Sequence, residues 1–390
     1  MKVLHVGPVE AGFSTSGVNQ SIRGSITAQA EIGIEVGLLS SSPTSSRISN
    51  EELPGVCLVK GYNKRHCNPW FTSHKWIEQI RKEFGVPALV IFHSTYIPFH
   101  SALAIKCRKV GWPYIVVPHG GLNILAQTKK RTKKIIGNFL FLRYLVEHAV
   151  AIHAKSESSA REIKSRYAVK HIFTVPNAVD DNLLNICKQL APADIGSFAN
   201  GADLLLGYVG RINVYHKGID LLIEAMSILN SRTDVPRVKL FLVGPFFSNC
   251  DRKYVLSAIE SLKLGDVIKL LGPKFGLEKW SYFLACDLFV HPSRFEAGIP
   301  IALLEAMALR RPCLVTPGAN MADAIGEGGG WMVDANSDSI AKAILEIYKL
   351  RDSLPIVGQQ LQDLVHSKYT WGKVAEQEMK EYTKIIQLYC

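Results

Sequence analysis

Short and almost continuously apolar runs recur along this chain, separated by longer helix-like segments. In the first half the runs are MKVLHVG, EVGLLSS, ALVIFHS, YIVVPHG, AIHAKS and HIFTVPN. The second half continues with LLLGYVG, VKLFLVG, VIKLLG, LFVHPS, PCLVT and GGWMVD. Strands that are apolar throughout are typical of parallel sheets with helices on both faces. The pattern therefore predicts an α/β protein with doubly wound parallel sheets.

The length of 390 residues favours two domains, because an ordinary domain takes about 100–200 residues. The strand rhythm breaks between Asn182 and Ala202, where Pro, Gly, Asn and Asp are frequent, and a new strand begins at Leu204. We therefore predict one domain over residues 1–185 and a second over 203–370. Residues 371–390 read as an amphipathic helix whose docking the sequence does not indicate.

Composition indicates packed cores, since 47% of residues are apolar and 20% are charged. The eight cysteines form no CxxC pair and no regular framework, which predicts reduced thiols and a cytoplasmic protein. The N-terminal MKVLHVGPVE reads as a first strand rather than a signal peptide. No run approaches the roughly 18–20 apolar residues that span a bilayer.

The net charge of +11 is compatible with nucleic acid, an anionic membrane or phosphorylated ligands. The absence of a recognisable nucleic-acid module argues against the first. The basic run QTKKRTKK at 127–134 precedes the apolar segment IIGNFLFLRYLVEHAV. It is either a membrane-surface helix or a solvated cap on a buried core helix. Peripheral contact with the inner membrane face is therefore an open alternative.

The segment HPSRFEAGIPIALLEAMALRRPCLVT, at 291–316, carries the strongest chemical signal. A strand leads into a loop with Arg294 and Glu296, which either pair with each other or face a ligand. Glycine and proline then open a helix, whose exposed amides and dipole suit a diphosphate. The donor-binding backbone is assigned to Gly298, Ile299, Pro300 and Ile301. Glu305 lies within the apolar run IALLEAMAL, where an unpartnered carboxylate is costly; this favours a ligand role, such as accepting from a ribose diol.

The segment GYVGRINVYHKGIDLLIEA, at 207–225, places two cations on one loop after a strand. Arg211 follows Gly210, and Lys217 precedes Gly218. Two fixed cations neutralise the charge that develops on a departing nucleoside diphosphate. We assign electrostatic catalysis to Arg211 and Lys217, with Gly210 beside the donor.

These motifs, GYVGRINVYHKGIDLL and SRFEAGIPIALLEAMA, resemble those of the family 4 retaining glycosyltransferases. VVPHGGL, HAKSESSAREI, VPNAVD and LFLVGP add matches in family order, so the resemblance covers nearly the whole chain. It implies the GT-B fold, with two Rossmann-like domains facing across a cleft.

The resemblance also implies roles for single residues. Arg211 and Lys217 would hold the donor diphosphate, Glu305 the ribose, and His119 the donor sugar from the opposite lobe. Gly17 lies in a loop that resembles family loops beside the donor phosphates or the acceptor. No cofactor or metal is expected, and the chain carries no DxD motif.

One spacing departs from the family pattern. Family members commonly have seven residues between two glutamates, whereas Glu296 and Glu305 are separated by eight, AGIPIALL. Counting back from Glu305 by the family spacing arrives at Ala297. Glu296, predicted as a catalytic residue, therefore reaches the donor sugar only if the loop bulges by one residue.

The sequence predicts a retaining transferase that moves a hexose from UDP-hexose or GDP-mannose to a sugar or lipid-linked glycan in polysaccharide biosynthesis. The main alternative is a catalytically inactive nucleotide-sugar or glycan-binding protein on the same scaffold, which the irregular glutamate spacing favours. A phosphorylase or epimerase with the same fold is a third hypothesis. The lack of a pyridoxal lysine motif argues against the phosphorylase.

Overall fold

The computed structural model describes residues 1–12, 16–42, 48–59, 73–124, 131–186 and 189–389. The chain forms two compact units, one of Met1–Ala178 with Trp371–Cys390 and one of Val179–Thr370. The boundary thus precedes the predicted 182–202 segment, and residues 179–185 belong to the second unit. The reason is local: the Val179 amide donates to the Tyr369 carbonyl at 3.0 Å, and Leu183 packs into the second unit's core.

Within its described residues, the first unit contains a seven-stranded sheet in which every strand pair is parallel. Its strands are β1 (Lys2–Gly7), β2 (Glu35–Ser40), β3 (Val56–Leu58), β4 (Leu89–His93), β5 (Tyr114–Val117), β6 (Ala151–Ala154) and β7 (Ile172–Thr174). The order β3-β2-β1-β4-β5-β6-β7 places a topological switch between β1 and β4. Every strand predicted in this half is confirmed. The edge strand β3 was not predicted, although it lies within the short apolar run VCLV.

The second unit contains a six-stranded parallel sheet in the order β10-β9-β8-β11-β12-β13. Its strands are β8 (Leu204–Val209), β9 (Val238–Val243), β10 (Ile268–Gly272), β11 (Leu288–His291), β12 (Cys313–Val315) and β13 (Trp331–Met332). All were predicted from apolar runs. The switch point of this sheet lies between β8 and β11.

Helices connect the strands in both units. In the first unit they are α1 (Gly17–Glu31), α2 (Ser73–Glu83), α3 (Pro98–Lys109), α4 (Arg131–Gly137), a π-helical turn (Asn138–Leu142), α5 (Arg143–Glu147) and α6 (Glu157–Lys164). In the second they are α7 (Leu183–Ile186), α8 (Val214–Lys217), α9 (Ile219–Asn230), α10 (Asn249–Ser261), α11 (Gly276–Ala285), α12 (Ile301–Ala308), α13 (Ala322–Gly328), α14 (Ser337–Lys349) and α15 (Leu354–Lys368). Short 3₁₀ turns occupy Gly196–Ala199, Pro317–Ala319 and Arg351–Ser353. The last helix, α16 (Trp371–Tyr389), returns to the first unit.

Alternate residues of the first sheet enter cores on its two faces. Leu4 and Val6 of β1 pack with α3 on one face. Val3 and Ile91 pack with Tyr382 and Ile385 of α16 on the other. Both faces are therefore covered, which explains why the strands are apolar throughout. The C-terminal helix, whose docking the sequence left undefined, is part of this core.

A buried ion pair also fixes α16. Lys155 Nζ lies 3.3 Å from Glu378 Oε1, and the two side chains are 4% and 1% exposed. Ser25 and Gln29 of α1 donate to Oε2 of the same carboxylate at 2.6 and 2.7 Å. Burial would raise the pKa of Glu378, but the Lys155 charge, together with His153 and the hydrogen bonds from Ser25 and Gln29, outweighs it and holds that pKa below its ordinary value. The carboxylate stays charged, so α16 is tied to α1 and to the end of β6.

Much of the predicted basic run lies outside the described residues, which resume at residue 131. Lys134, the last residue of the basic run, has its Nζ 5.2 Å from the centroid of the Tyr96 ring. In the described ranges, no helix is both long and apolar enough to cross a lipid bilayer.

The docking of α16 against α1 gives a stability prediction. A Cβ on Gly24 would overlap the indole ring of Trp371. We expect Gly24→Ala to lower the free energy of unfolding by about 1–3 kcal/mol, as overpacking does elsewhere. Thermal unfolding measures this. In a Trp371→Leu background the same substitution should cost less, and an equal cost in both backgrounds would contradict the overlap.

Candidate functional site

The loops after β8 and β11 meet at the switch point of the second sheet. Ligands of open parallel sheets bind beyond the carboxyl ends of strands at such points. The β8 loop carries Arg211 and continues into α8, which ends at Lys217; the β11 loop carries Glu296. The structure therefore brings Lys217 and Glu296 together from sequence positions 79 residues apart.

Glu296 Oε1 is the centre of this site. It accepts from Lys217 Nζ, from His291 Nε2 at 3.1 Å and from Ser293 Oγ at 2.7 Å. The Lys217 and Glu296 side chains are only 14% and 11% exposed. Asn320 Nδ2 also donates to the Glu296 carbonyl at 2.7 Å, so the backbone is held as well. The eight-residue spacing from Glu305 thus leaves Glu296 in direct contact with Lys217.

The charges of this cluster follow from burial and pairing. Burial raises the pKa of Glu296, but the Lys217 charge and the hydrogen bond from His291 outweigh it and keep the pKa well below its ordinary range. Burial lowers the pKa of His291 despite the neighbouring carboxylate. His291 is therefore neutral and donates through Nε2–H. In the part of the chain that the structure describes, its Nδ1 is buried and has no hydrogen-bond partner.

Gly218 allows the Lys217 loop to approach the end of β11. Its φ is 65°, and a Cβ there would overlap the Pro292 carbonyl oxygen. A hydrogen bond of 3.1 Å joins the same loops, since the His216 carbonyl accepts from the Arg294 amide, and Ser293 Oγ lies 3.1 Å from the same carbonyl oxygen. The position of Lys217 thus depends on the absence of a side chain at its neighbour.

Arg294 pairs with Asp220 rather than Glu296. Its Nη1 and Nη2 lie 2.7 and 2.8 Å from the two Asp220 carboxylate oxygens, and its guanidinium stacks on Tyr215. The alternative in which Arg294 and Glu296 neutralise each other is therefore wrong. Arg294 instead fastens the β11 loop to the start of α9.

Arg211 follows Gly210 at the end of β8 and is exposed. Its guanidinium carbon lies 5.3 Å from the centroid of the Phe247 ring, and its carbonyl accepts from the Tyr208 hydroxyl at 3.0 Å. Of the carboxylates whose placement is described, none forms an ion pair with Arg211. Its charge is therefore available to an anion.

Glu305 lies on the second turn of α12 and is 6% exposed. Its Oε1 accepts from Lys279 Nζ at 2.5 Å and from Trp280 Nε1 at 3.0 Å. The premise of an unpartnered buried carboxylate was therefore wrong, because α11 supplies two donors. At the N-terminus of the helix, Gly298, Ile299 and Pro300 are buried, Pro300 is the cap residue and Ile301 is the first helical residue.

His119 and Gly17 both belong to the first unit. His119 lies two residues after β5 with φ 45°, and its Nε2 is 3.0 Å from Nδ1 of His93, the last residue of β4. Burial lowers the pKa of His119 well below its usual value. Gly17 is the first residue of α1, after Ser16 and the undescribed residues 13–15.

Several residues of these sites were not predicted from the sequence. His291, Ser293 and Lys279 hold the two glutamates, and His93 holds His119. The position of His291, at the end of a predicted strand directly before the motif loop, could have indicated a site residue. The sequence gave no such indication for Lys279 and His93, because their partners are distant in sequence.

Two doubly wound parallel sheets, one with a cation–carboxylate site at its switch point, are the architecture of the GT-B glycosyltransferases. The model for "Glycosyl transferases group 1" matches residues 195–361, and that for "Glycosyltransferase Family 4" matches residues 15–183. The chain belongs to family 4 of the glycosyltransferases.

Two named relatives are similar along most of the chain. The D-inositol 3-phosphate glycosyltransferase of Pseudarthrobacter chlorophenolicus is 27% identical, over 85% of this chain and 82% of its own length. The putative teichuronic acid biosynthesis glycosyltransferase TuaC of Bacillus subtilis is 28% identical, over 77% and 71%. Among solved structures, Anabaena HepE in complex with UDP and glucose has a TM-score of 0.72 at 16% identity, covering 98% of this chain and all of that one. This last likeness supports the fold.

The Gly218 geometry predicts a local effect. Gly218→Ala should lower the free energy of unfolding by about 1–3 kcal/mol and displace Lys217, because the added methyl meets the Pro292 carbonyl in a left-handed conformation. Thermal unfolding and donor turnover measure the two effects. Gly265→Ala is a matched control, since nothing lies within 4 Å of its Cβ position. Equal behaviour of the two variants would contradict the prediction.

Proposed function

We propose that this glycosyltransferase moves a hexose from a nucleotide diphosphate sugar to a sugar or lipid-linked glycan, with retention of the anomeric configuration. The observation that carries the proposal is the Lys217–Glu296–His291 cluster at the switch point, with exposed Arg211 on the adjoining loop. The carboxyl ends of β8 and β11 are where an open parallel sheet receives a nucleotide.

The cations have one task in this reaction. When the bond between the sugar and the diphosphate breaks, negative charge grows on the departing phosphate oxygens. Lys217 is already held in place by Glu296. Arg211 forms no ion pair with a carboxylate in the described part of the chain. Both cations therefore stabilise that charge with little rearrangement. At the N-terminus of α12 the backbone amides of Gly298, Ile299 and Ile301 donate to the same anion, whereas Pro300 has no N–H to donate.

The remaining site residues position the donor. Glu305 takes the ribose hydroxyls, since Lys279 and Trp280 both bind Oε1 and thereby orient the carboxylate. Glu296 and His119 contact the donor sugar, and Gly17 lies beside the donor phosphates. No metal takes part in this scheme, because the cations supply the charge that a metal ion would otherwise provide.

The donor is UDP-hexose or GDP-mannose. HepE, with the same fold, binds UDP and glucose, which favours the uridine series for the first test. The relative TuaC is named for teichuronic acid biosynthesis, which supports polysaccharide assembly as the setting. We propose that the protein works in the cytoplasm, and that the 127–134 basic run brings it to lipid-linked acceptors at the inner membrane face.

Donor identity is tested by thermal shift with UDP, GDP and ADP and their common sugar conjugates. A ligand at 100 times its dissociation constant stabilises the protein by about 2.7 kcal/mol. We expect a shift with the uridine or guanosine series and then transfer with retention, read from the anomeric configuration of the product by NMR. A shift without turnover on any acceptor would favour the inactive binding protein.

The cations are tested by replacement. Lys217→Ala and Arg211→Ala should each lower kcat by about 10²–10³, the usual loss when one such donor is removed. Lys342→Ala is a matched control, because Lys342 is 80% exposed on α14 of the same unit. Undiminished turnover in either site variant would remove that residue from the diphosphate site.

Metal independence is tested by assaying transfer after dialysis against EDTA. We expect kcat to stay within about twofold of the untreated enzyme, since Lys217 and Arg211 supply the charge. Loss of activity that Mg²⁺ or Mn²⁺ restores would contradict this part of the proposal.

A further inference from the structure

A chain of hydrogen bonds runs through the first unit from His119 to the C-terminal helix. His119 Nε2 lies 3.0 Å from His93 Nδ1, and His93 Nε2 lies 2.9 Å from His5 Nδ1. His5 Nε2 lies 3.0 Å from Gln29 Oε1, and Gln29 Nε2 lies 2.7 Å from Glu378 Oε2. We name His119, His93 and His5 the histidine chain. It begins after β5, crosses β4 and β1, and reaches α1 and α16.

The far end of the chain has a fixed polarity. The Glu378 carboxylate is ionised beside Lys155 and can only accept hydrogen bonds. The Gln29 amide must therefore turn its NH₂ group toward Glu378, where it also meets Ser25 Oγ at 3.0 Å. Its carbonyl oxygen then faces His5. The reverse orientation would place two acceptors 2.7 Å apart.

This polarity passes along the histidine chain because each neutral imidazole carries one N–H and one bare nitrogen. Gln29 Oε1 needs a donor, so His5 carries its proton on Nε2 and accepts at Nδ1. His93 must then donate from Nε2 and accept at Nδ1. His119 must likewise donate from Nε2, which leaves its Nδ1 without a proton.

Burial keeps the rings neutral. It lowers the pKa of His5 to about 4 and the pKa values of His93 and His119 well below the ordinary one, and the nearby Lys155 charge acts in the same direction. His5 and His93 are fully withdrawn from solvent or nearly so, whereas His119 is partly exposed. At neutral pH none of the three carries a second proton that could reverse the chain.

We propose that Glu378 is a positioning residue that acts through Gln29, His5 and His93 to fix the tautomer of His119, so that His119 presents Nδ1 as a hydrogen-bond acceptor. No residue in the described ranges donates to this nitrogen. It therefore suits a hydroxyl donor, and, resting on the proposed function, we assign that hydroxyl to the donor hexose. An acceptor at this point selects a hydroxyl over a carbonyl or carboxylate oxygen.

The test is a long-range ¹H–¹⁵N correlation spectrum of the full-length protein with ¹⁵N-labelled histidine, which distinguishes protonated from bare ring nitrogens. The His119 signals are assigned from the spectrum of His119→Asn. We expect a protonated Nε2 and a bare Nδ1 for His119 in the wild-type protein. A protonated Nδ1 in that spectrum would overturn the proposal, whatever the variants do.

The variant Glu378→Gln tests the origin of the polarity. An amide can donate as well as accept, so Gln29 is free to reverse, and the His119 spectrum should change to the other tautomer or to an exchange average. Glu376→Gln makes the same chemical change at an exposed position of α16 and should leave the spectrum unaltered. An unchanged His119 spectrum in folded Glu378→Gln would overturn the role of Glu378. If that variant does not fold, Gln29→Met breaks the chain without removing the ion pair.

Activity separates this proposal from the proposed function. We expect Glu378→Gln to lower transfer about tenfold while the affinity for the free nucleoside diphosphate stays the same, because only the sugar contact is altered. If the tautomer is as stated but His119→Asn transfers hexose at the wild-type rate, the assigned contact between His119 and the hexose is wrong, whereas the polarity of the histidine chain is confirmed. If no nucleotide sugar is turned over, the spectrum still decides the tautomer.

Discussion

In both units every strand pair is parallel, and this constraint decides where chemistry can occur. A parallel strand must be followed by a connection that returns over the face of the sheet, so all carboxyl ends lie along one edge. Where the strand order reverses, two neighbouring connections leave in opposite directions and open a space. In the second unit that space lies between β8 and β11, beside Lys217 and Glu296. In the first unit it lies between β1 and β4, beside His93.

Lysine–glutamate pairs that are buried or partly buried are the second feature that the two units share. Lys217–Glu296 forms the candidate site, Lys279 and Trp280 hold Glu305, and Lys155–Glu378 fastens the C-terminal helix. Removing one partner of such a pair leaves an uncompensated charge in a poorly solvated place. This destabilises a protein far more than replacing both partners with apolar residues does. These pairs therefore hold their charges at fixed positions. In the second unit they fix the charges of the candidate site, and in the first unit, under our proposal, Glu378 sets the polarity of the histidine chain.

The strands were predictable because burial on both faces leaves an almost uninterrupted apolar run in the sequence. The exception, β3, is an edge strand within the short apolar run VCLV, which was not among the runs singled out. The unit boundary was displaced because Val179 is held by Tyr369, a contact between residues far apart in the chain. Arg294 was open to two interpretations for a similar reason: its partner, Asp220, lies 74 positions away at the start of α9, and sequence spacing alone suggested Glu296.

The sequence by itself determined the fold class, the strand-end loops that carry charge, and the resemblance to family 4, because local periodicity and motif order are properties of contiguous residues. The tertiary structure alone decided which charges meet. It paired Lys217 with Glu296, gave Glu305 its two donors and placed α16 against α1. Most of these contacts join residues tens to hundreds of positions apart, and hydrogen-bond polarity depends on every member of a network at once. No local pattern encodes either property.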